Sequence, residues 1–314
     1  MTYALDPEIE AVVVAFAEAI GEVKVPALDD VQAQRDNADI TLTYLDKFVP
    51  PAPNVRTTSF EAIADDGTGI EVRWYAKADS SPGSAVVYAH GGGMILANVD
   101  YYNAWVAWYV ERTGIPFLSV EYRRAPEVKG TTPMRDTFAA LRWLIEHAAE
   151  LGVDPARIVL MGDSAGGGIM AGVSILARDN GIAIAHQVLI YPMLDDRADP
   201  QPALADFATW TYDDNYTGWH ALLDENIGGD DVSPIAAPAR LTDCAGLPPA
   251  YIEVGDLDIF RDEDIAYAQK LSRAQVQVEF HLHTGAPHGF DRFAPTSALA
   301  QRAFDDRIRV LKSV

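Results

Sequence analysis

One pentapeptide constrains this chain more than any other part of it: Gly162-Asp163-Ser164-Ala165-Gly166. It follows directly on the apolar run Ile158-Val159-Leu160-Met161 and leads into small and apolar residues from Gly167 to Ala177. That pattern is a strand, a sharp turn and a buried helix, with one serine at the tip. Strand and helix can approach so closely only if the residues flanking the serine are small, which accounts for glycine at 162 and 166. A serine hydroxyl is a poor nucleophile unless a base takes its proton and a dipole pocket receives the oxyanion. The rest of the chain should therefore supply those partners.

Strand and helix patterns alternate on both sides of the turn. Apolar positions at Ile9, Val12, Val13, Phe16 and Ile20 have helical spacing. Residues 21–55, mixed in composition and ending near Pro50-Pro51-Ala52-Pro53, read as a linker. Strands are expected near 56–63 and 69–77, joined by Asp65-Asp66-Gly67, and at 85–89, 116–122, 186–191, 250–254 and 276–283. Helices are expected over 100–113, from Thr132-Pro133, after Ser164 up to Asn180-Gly181, over 262–273 and from about 296. Strands alternating with helices imply an α/β fold with a mostly parallel central sheet and helices on both faces. Residues 195–240 break the alternation: they are acidic, aromatic and punctuated by proline and glycine, as an inserted cap would be.

Composition narrows the function. The 314 residues are 49% apolar, enough for a large core, and carry a net charge of −22. That charge argues against nucleic acid, whose phosphates need lysine and arginine, and against anionic membrane surfaces. No apolar run approaches the ~20 residues of a membrane span. The N-terminus, Met1-Thr2-Tyr3-Ala4-Leu5-Asp6, lacks the basic start of a secretory signal. The one cysteine, Cys244, reads as a buried structural thiol and suits a reducing, cytoplasmic setting.

Three partners are needed by the serine. His90-Gly91-Gly92-Gly93 follows a strand and offers consecutive backbone N–H groups without side chains, and the Ala165 N–H is the other expected oxyanion donor. Among the seven histidines, His288 lies in a loop after the last strand, Gly285-Ala286-Pro287-His288-Gly289-Phe290, from which it can reach a serine at the end of a neighbouring strand. His147 reads as solvated and His186 as structural. His281 and His283 share one strand face like a metal pair, but no third ligand stands at metal-site spacing. For the acid that orients the imidazole, Asp256, Asp258 and Asp262 compete; Asp262 is placed to cap the next helix, and spacing does not choose between Asp256 and Asp258. The chain order serine, acid, histidine is that of α/β-hydrolases, not of chymotrypsin or subtilisin.

At these residues the chain resembles the bacterial hormone-sensitive-lipase-like esterases of the α/β-hydrolase superfamily. The resemblance covers nearly the whole chain. It rests on His90-Gly91-Gly92-Gly93, on Glu121-Tyr122-Arg123-Arg124-Ala125-Pro126-Glu127 and on Gly162-Asp163-Ser164-Ala165-Gly166-Gly167. Tyr191-Pro192 with Asp195-Asp196-Arg197, Asp258-Ile259-Phe260-Arg261-Asp262 and His288-Gly289-Phe290 complete it. It implies Asp258 as the triad acid and Gly91, Gly92 and Ala165 as oxyanion donors. It also implies a catalytic domain over 51–194 and 241–314 beneath a helical cap formed by 1–50 and 195–240. Glu121, Arg124, Phe260 and Gly168 depart from the family pattern without removing a catalytic group. Gly168 should loosen the elbow helix by roughly 1 kcal/mol relative to alanine.

The implied reaction is hydrolysis of short-to-medium acyl esters through an acyl-enzyme, with no metal or organic cofactor. Amidase or arylacetamide-type deacylation is the enzymatic alternative, and ligand binding without catalysis on the same fold is the other. Aromatics in the cap (Phe207, Trp210, Tyr212, Tyr216, Trp219) and after the oxyanion loop (Tyr101, Tyr102, Trp105, Trp108) read more as core than as pocket lining. The last strand, Gln275 to His283, invites pairing with its counterpart in a homodimer if it lies at the sheet edge.

Overall fold

The computed structural model describes residues 3–21, 24–78 and 83–314; Met1, Thr2 and the side chain of Ile20 lie outside the described residues. Eight strands form one sheet: β1 Val55–Ile63, β2 Gly69–Lys77, β3 Ala85–Ala89, β4 Phe117–Val120, β5 Ile158–Asp163, β6 His186–Ile190, β7 Ala250–Gly255 and β8 Val278–His283. Their order is β1-β2-β4-β3-β5-β6-β7-β8. β1 and β2 make an antiparallel hairpin, and β2 meets β4 antiparallel; every pairing from β4 to β8 is parallel. β3, β4, β5 and β7 are buried along their whole length, which is why they read as largely apolar rather than alternating, Glu253 of β7 being a charged exception.

The helices are α1 Pro7–Ile20, α2 Val31–Leu45, α3 Val99–Thr113, α4 Thr132–Glu146, α5 Ala148–Leu151, α6 Ala165–Asp179, α7 Pro202–Ala205, α8 Tyr212–Leu223, α9 Arg261–Arg273, α10 Phe290–Phe293 and α11 Ala298–Lys312. α4 packs beside α6 and α3 beside α11, so the sheet is covered by two helix layers. None of the described helices is long and apolar enough to cross a membrane. Cys244 is buried, and burial raises its thiol above the ordinary range.

The strand order reverses at β3, which lies between β4 and β5. In open parallel sheets such a switch point leaves a crevice at the strands' C-terminal ends. Here Ala89 pairs with Gly162, so the loop after β3 and the turn after β5 emerge side by side.

Two stretches that local pattern left without elements contain helices. Residues 21–55 are not a plain linker, because α2 occupies 31–45. Asp30 caps it, accepting from Ala33 N at 3.0 Å; its inward face of Val31, Gln34, Ala38, Leu42 and Leu45 is interrupted by a polar residue, and only Gln34 and Leu45 are fully buried, so its apolar signal is weak in the sequence. The irregular 195–240 stretch holds α7 and α8, the latter opened by a capping box in which Thr211 and Asp214 satisfy one another's backbone N–H groups.

Candidate active site

Ser164 stands between β5 and α6 with φ +55°, ψ −123°, a conformation strained for a residue with a Cβ. The surrounding glycines make the turn possible. A Cβ on Gly162 would lie 2.4 Å from the Gly166 backbone, and one on Gly166 would lie 2.1 Å from the Ala89 carbonyl oxygen. At Gly168 a Cβ would come within 2.0 Å of the Met193 carbonyl oxygen. The glycine that reads as a helix-loosening departure is therefore set by a close backbone approach.

The loop after β8 brings His288 to the serine. Its Nε2 lies 2.9 Å from Ser164 Oγ and its Nδ1 lies 2.7 Å from Asp258 Oδ2. Asp258 is buried, and its other oxygen accepts from Phe260 N at 2.9 Å. The remaining acid candidates have other occupations. Asp256 accepts from Gly285 N at 2.7 Å and so braces the histidine loop from below. Asp262 is not the cap of α9, whose N-cap residue is Phe260; it lies exposed in the first turn and pairs with Arg261. The His288 ring is wedged edge-on between Tyr191 and Phe260, at centroid distances of 4.8 and 5.1 Å. Its backbone carbonyl accepts from Thr209 Oγ1 at 2.5 Å.

The other histidines are engaged elsewhere. His147 is partly buried and stacked on Trp143, not solvated. His220 pairs with Asp29, and partly buried His186 is pushed to lower pKa by desolvation. His281 does gain companions that the sequence did not reveal: Glu279, His281 and Asp306 bring ligand atoms within 4.8 Å of one another. Arg309 pairs with both acids there and supplies the positive charge a cation would bring, and His283 is not in the group.

The glycine loop forms the wall opposite His288. Gly92 and Gly93 have φ of +118° and +58°, and a Cβ on Gly92 would lie 2.6 Å from the Leu96 carbonyl oxygen, so this loop too requires glycine. Gly91 N–H donates to Tyr102 Oη at 3.1 Å, so this expected oxyanion donor is already committed. No described group accepts from the N–H of Gly92, Gly93 or Ala165. Tyr102 and Tyr88 donate to the two oxygens of Asp163 at 2.8 and 2.6 Å, tying the glycine loop to the residue before Ser164. His90 stacks on Tyr122 at 4.3 Å, and burial pushes its pKa down to about 3, so it remains neutral.

A buried ionic cluster holds the histidine loop. Arg307 of α11 meets Glu253 of β7 and, at 2.5 Å, Asp291 of α10. Asp291 accepts from Tyr191 Oη at 2.8 Å, and Tyr191 in turn packs on His288. Burial pushes the Glu253 carboxyl up, but Arg307 and His283 more than offset this and hold it at about 2. Sequence reasoning missed this cluster, because its members sit on separate elements and each reads locally as an ordinary helix or strand residue.

A cavity of about 500 Å³ opens over Ser164 and His288. α2 contributes Ala38, Leu42 and Leu45, and the segment before α8 contributes Thr209 and Trp210. Of the aromatics flagged in the sequence, Tyr102 and Trp210 line it, whereas Trp105, Trp108 and Trp219 are core. Arg35 of α2 ties this roof down: it forks onto Glu127 at 2.7 and 2.8 Å and donates to the carbonyls of Ile95 and Ala125.

The model of the alpha/beta hydrolase fold family matches residues 86–292 of this chain. The carboxylesterase NlhH of Mycobacterium tuberculosis is 35% identical over 265 residues, covering 82% of this chain and 81% of the relative. Lipase 2 of a Moraxella species is 34% identical over 260 residues, 72% of this chain, and the match spans only 60% of that longer protein. Among solved structures, a bacterial heroin esterase superposes with a TM-score of 0.89 at 32% identity, covering 99% of this chain and 98% of its own.

Proposed function

This chain belongs to the α/β-hydrolase fold family, among its hormone-sensitive-lipase-like esterases, and is a carboxylic ester hydrolase; we propose that it hydrolyses short-to-medium acyl esters through an acyl-enzyme. The observation that carries this reading is the unbroken relay from Asp258 Oδ2 through the His288 ring to Ser164 Oγ. In it Asp258 accepts from His288 Nδ1–H, which leaves Nε2 free to take the serine proton. Ser164 Oγ attacks the ester carbonyl, and His288 then returns the proton to the departing alcohol. Water, activated by the same nitrogen, releases the acid in the second half-reaction.

Gly92 and Ala165 N–H groups receive the oxyanion, being free of protein acceptors beside the nucleophile. Gly91 joins them only by releasing Tyr102, so its part in the resting enzyme is to fix the loop. Residues 1–50 and 195–240 act as the cap over a catalytic domain spanning 51–194 and 241–314, supported by the cavity walls that α2 and residues 209–217 supply. β8 lies at the sheet edge with Leu282 exposed, which supports a homodimer paired through residues 275–283; a monomeric mass at micromolar concentration would refute it. The single buried thiol, Cys244, supports a cytoplasmic setting.

A series of p-nitrophenyl esters of increasing acyl length, run on the wild type and on Ser164→Ala, tests the reading. Turnover should peak at short-to-medium chains and vanish in the variant. Equal turnover by Ser164→Ala, or a peak at long chains, contradicts it.

A further inference from the structure

Arg292 lines the catalytic cavity four residues after His288. It is only 9% exposed, yet no described carboxylate, carbonyl or hydroxyl accepts from its guanidinium, and Nε and Nη1 are buried without a partner. Other arginines of comparable burial are answered: Arg307 meets Glu253 and Asp291, and Arg240 forks onto Asp196 at 2.6 and 2.8 Å. Arg292 instead lies over aromatic faces, its Cζ 3.9 Å from the Tyr102 ring centroid and 5.8 Å from that of Trp105. Those faces offset part of the charge but offer nothing to N–H groups that lie in the guanidinium plane. Asp163, the carboxylate sharing this wall, has both oxygens taken by Tyr88 and Tyr102. A desolvated cation with unanswered donors is unfavourable for the protein alone. At a cavity wall it is a ready partner for an acceptor that arrives with the ligand.

We propose that Arg292 is a specificity-determining residue that anchors a carboxylate of the substrate, so that the preferred class is esters carrying a free acid group. Half-esters of dicarboxylic acids and acylated hydroxy acids are such compounds. A guanidinium at the cavity wall offers a carboxylate a charge-assisted N–H donor, which a neutral ester end answers far more weakly. The proposal rests on the esterase reading above and adds to it the chemistry of the substrate's non-reacting end.

The test compares matched pairs. One pair is an aryl half-ester of a dicarboxylic acid and its methyl-capped twin; the other is an acylated hydroxy acid and its methyl ester. In the wild type, kcat/KM for the acid should exceed that for its neutral twin by about tenfold in at least one pair. Arg292→Met should lower that ratio by about tenfold, whatever change the two substrates share. A wild-type ratio below one in both pairs, or a ratio that Arg292→Met leaves unaltered, overturns the proposal. If the variant does not fold, inhibition of the wild type decides. Competitive inhibition of neutral-ester turnover by a free dicarboxylate, but not by its diester, supports the anchor; no inhibition overturns it. The neutral twins keep the two readings apart, since their turnover by the wild type and not by Ser164→Ala upholds the esterase whatever becomes of Arg292.

Discussion

Ser164, Asp258 and His288 all emerge from the C-terminal ends of parallel strands, whereas the wall facing them comes from α2 and the segment around Trp210. The two regions are fixed in different ways. The floor is held by backbone geometry: a positive φ at Ser164, and glycines where any Cβ would strike a neighbouring main chain. The roof is held by side chains: Ala38, Leu42 and Trp210 pack against the core, and polar ties run from Arg35 to Glu127, Gln34 to Asp214, Tyr101 to Asp39 and Thr209 to the His288 carbonyl. A floor of this kind fixes the chemistry. A roof of this kind can exchange residues without disturbing it.

The sharpest separation should come from the triad. Ser164→Ala or His288→Ala should lower kcat by about 10⁴ or more while the thermal melt stays near that of the wild type. Asp258→Asn should cost about as much, and Asp256→Asn far less, because Asp256 only braces Gly285. The reverse ranking, read by steady-state kinetics, would break the assignment of the acid. Beneath the floor, Arg307→Met leaves Glu253 and Asp291 buried without their counter-ion and should destabilise the fold by about 3–5 kcal/mol in denaturant titration. A loss under about 1 kcal/mol would mean that the cluster does not hold the histidine loop. Gly168→Ala drives a Cβ toward the Met193 carbonyl and should destabilise by about 1–3 kcal/mol, although helix propensity alone would have it stabilise by about 1 kcal/mol. On the roof, Arg35→Leu breaks an ion pair whose glutamate is largely exposed and removes a donor from the Ile95 and Ala125 carbonyls, and should destabilise by about 1–2 kcal/mol. Its effect should fall more on KM than on kcat; a loss of kcat as deep as in the triad variants would erase the distinction between floor and roof.

The same difference explains what could be read in the sequence. Backbone constraints leave local marks: the glycines around Ser164, the triple glycine after β3 and the loop before His288 all stand where strand patterns end. Hence the sheet, most strand limits and the residues gathered at the site were legible. α2 was not, because its inward face of Val31, Ala38, Leu42 and Leu45 is broken by buried Gln34 and set among polar residues, which weakens the apolar period. Nor was the choice between Asp256 and Asp258, which depends on a turn whose two carboxylates point to different partners. The Arg307 cluster and the seat of Arg292 on Tyr102 join residues far apart in the chain, and no spacing rule records such meetings.

We propose that one serine, Ser164, is made nucleophilic by His288. Treatment of the wild type with a fluorophosphonate, followed by intact mass and peptide mapping, tests it most directly. A single adduct on Ser164 is expected, absent from Ser164→Ala and formed far more slowly in His288→Ala. Ester turnover by an enzyme that takes no label at Ser164, or takes it at another residue, would show that Ser164 is not the nucleophile.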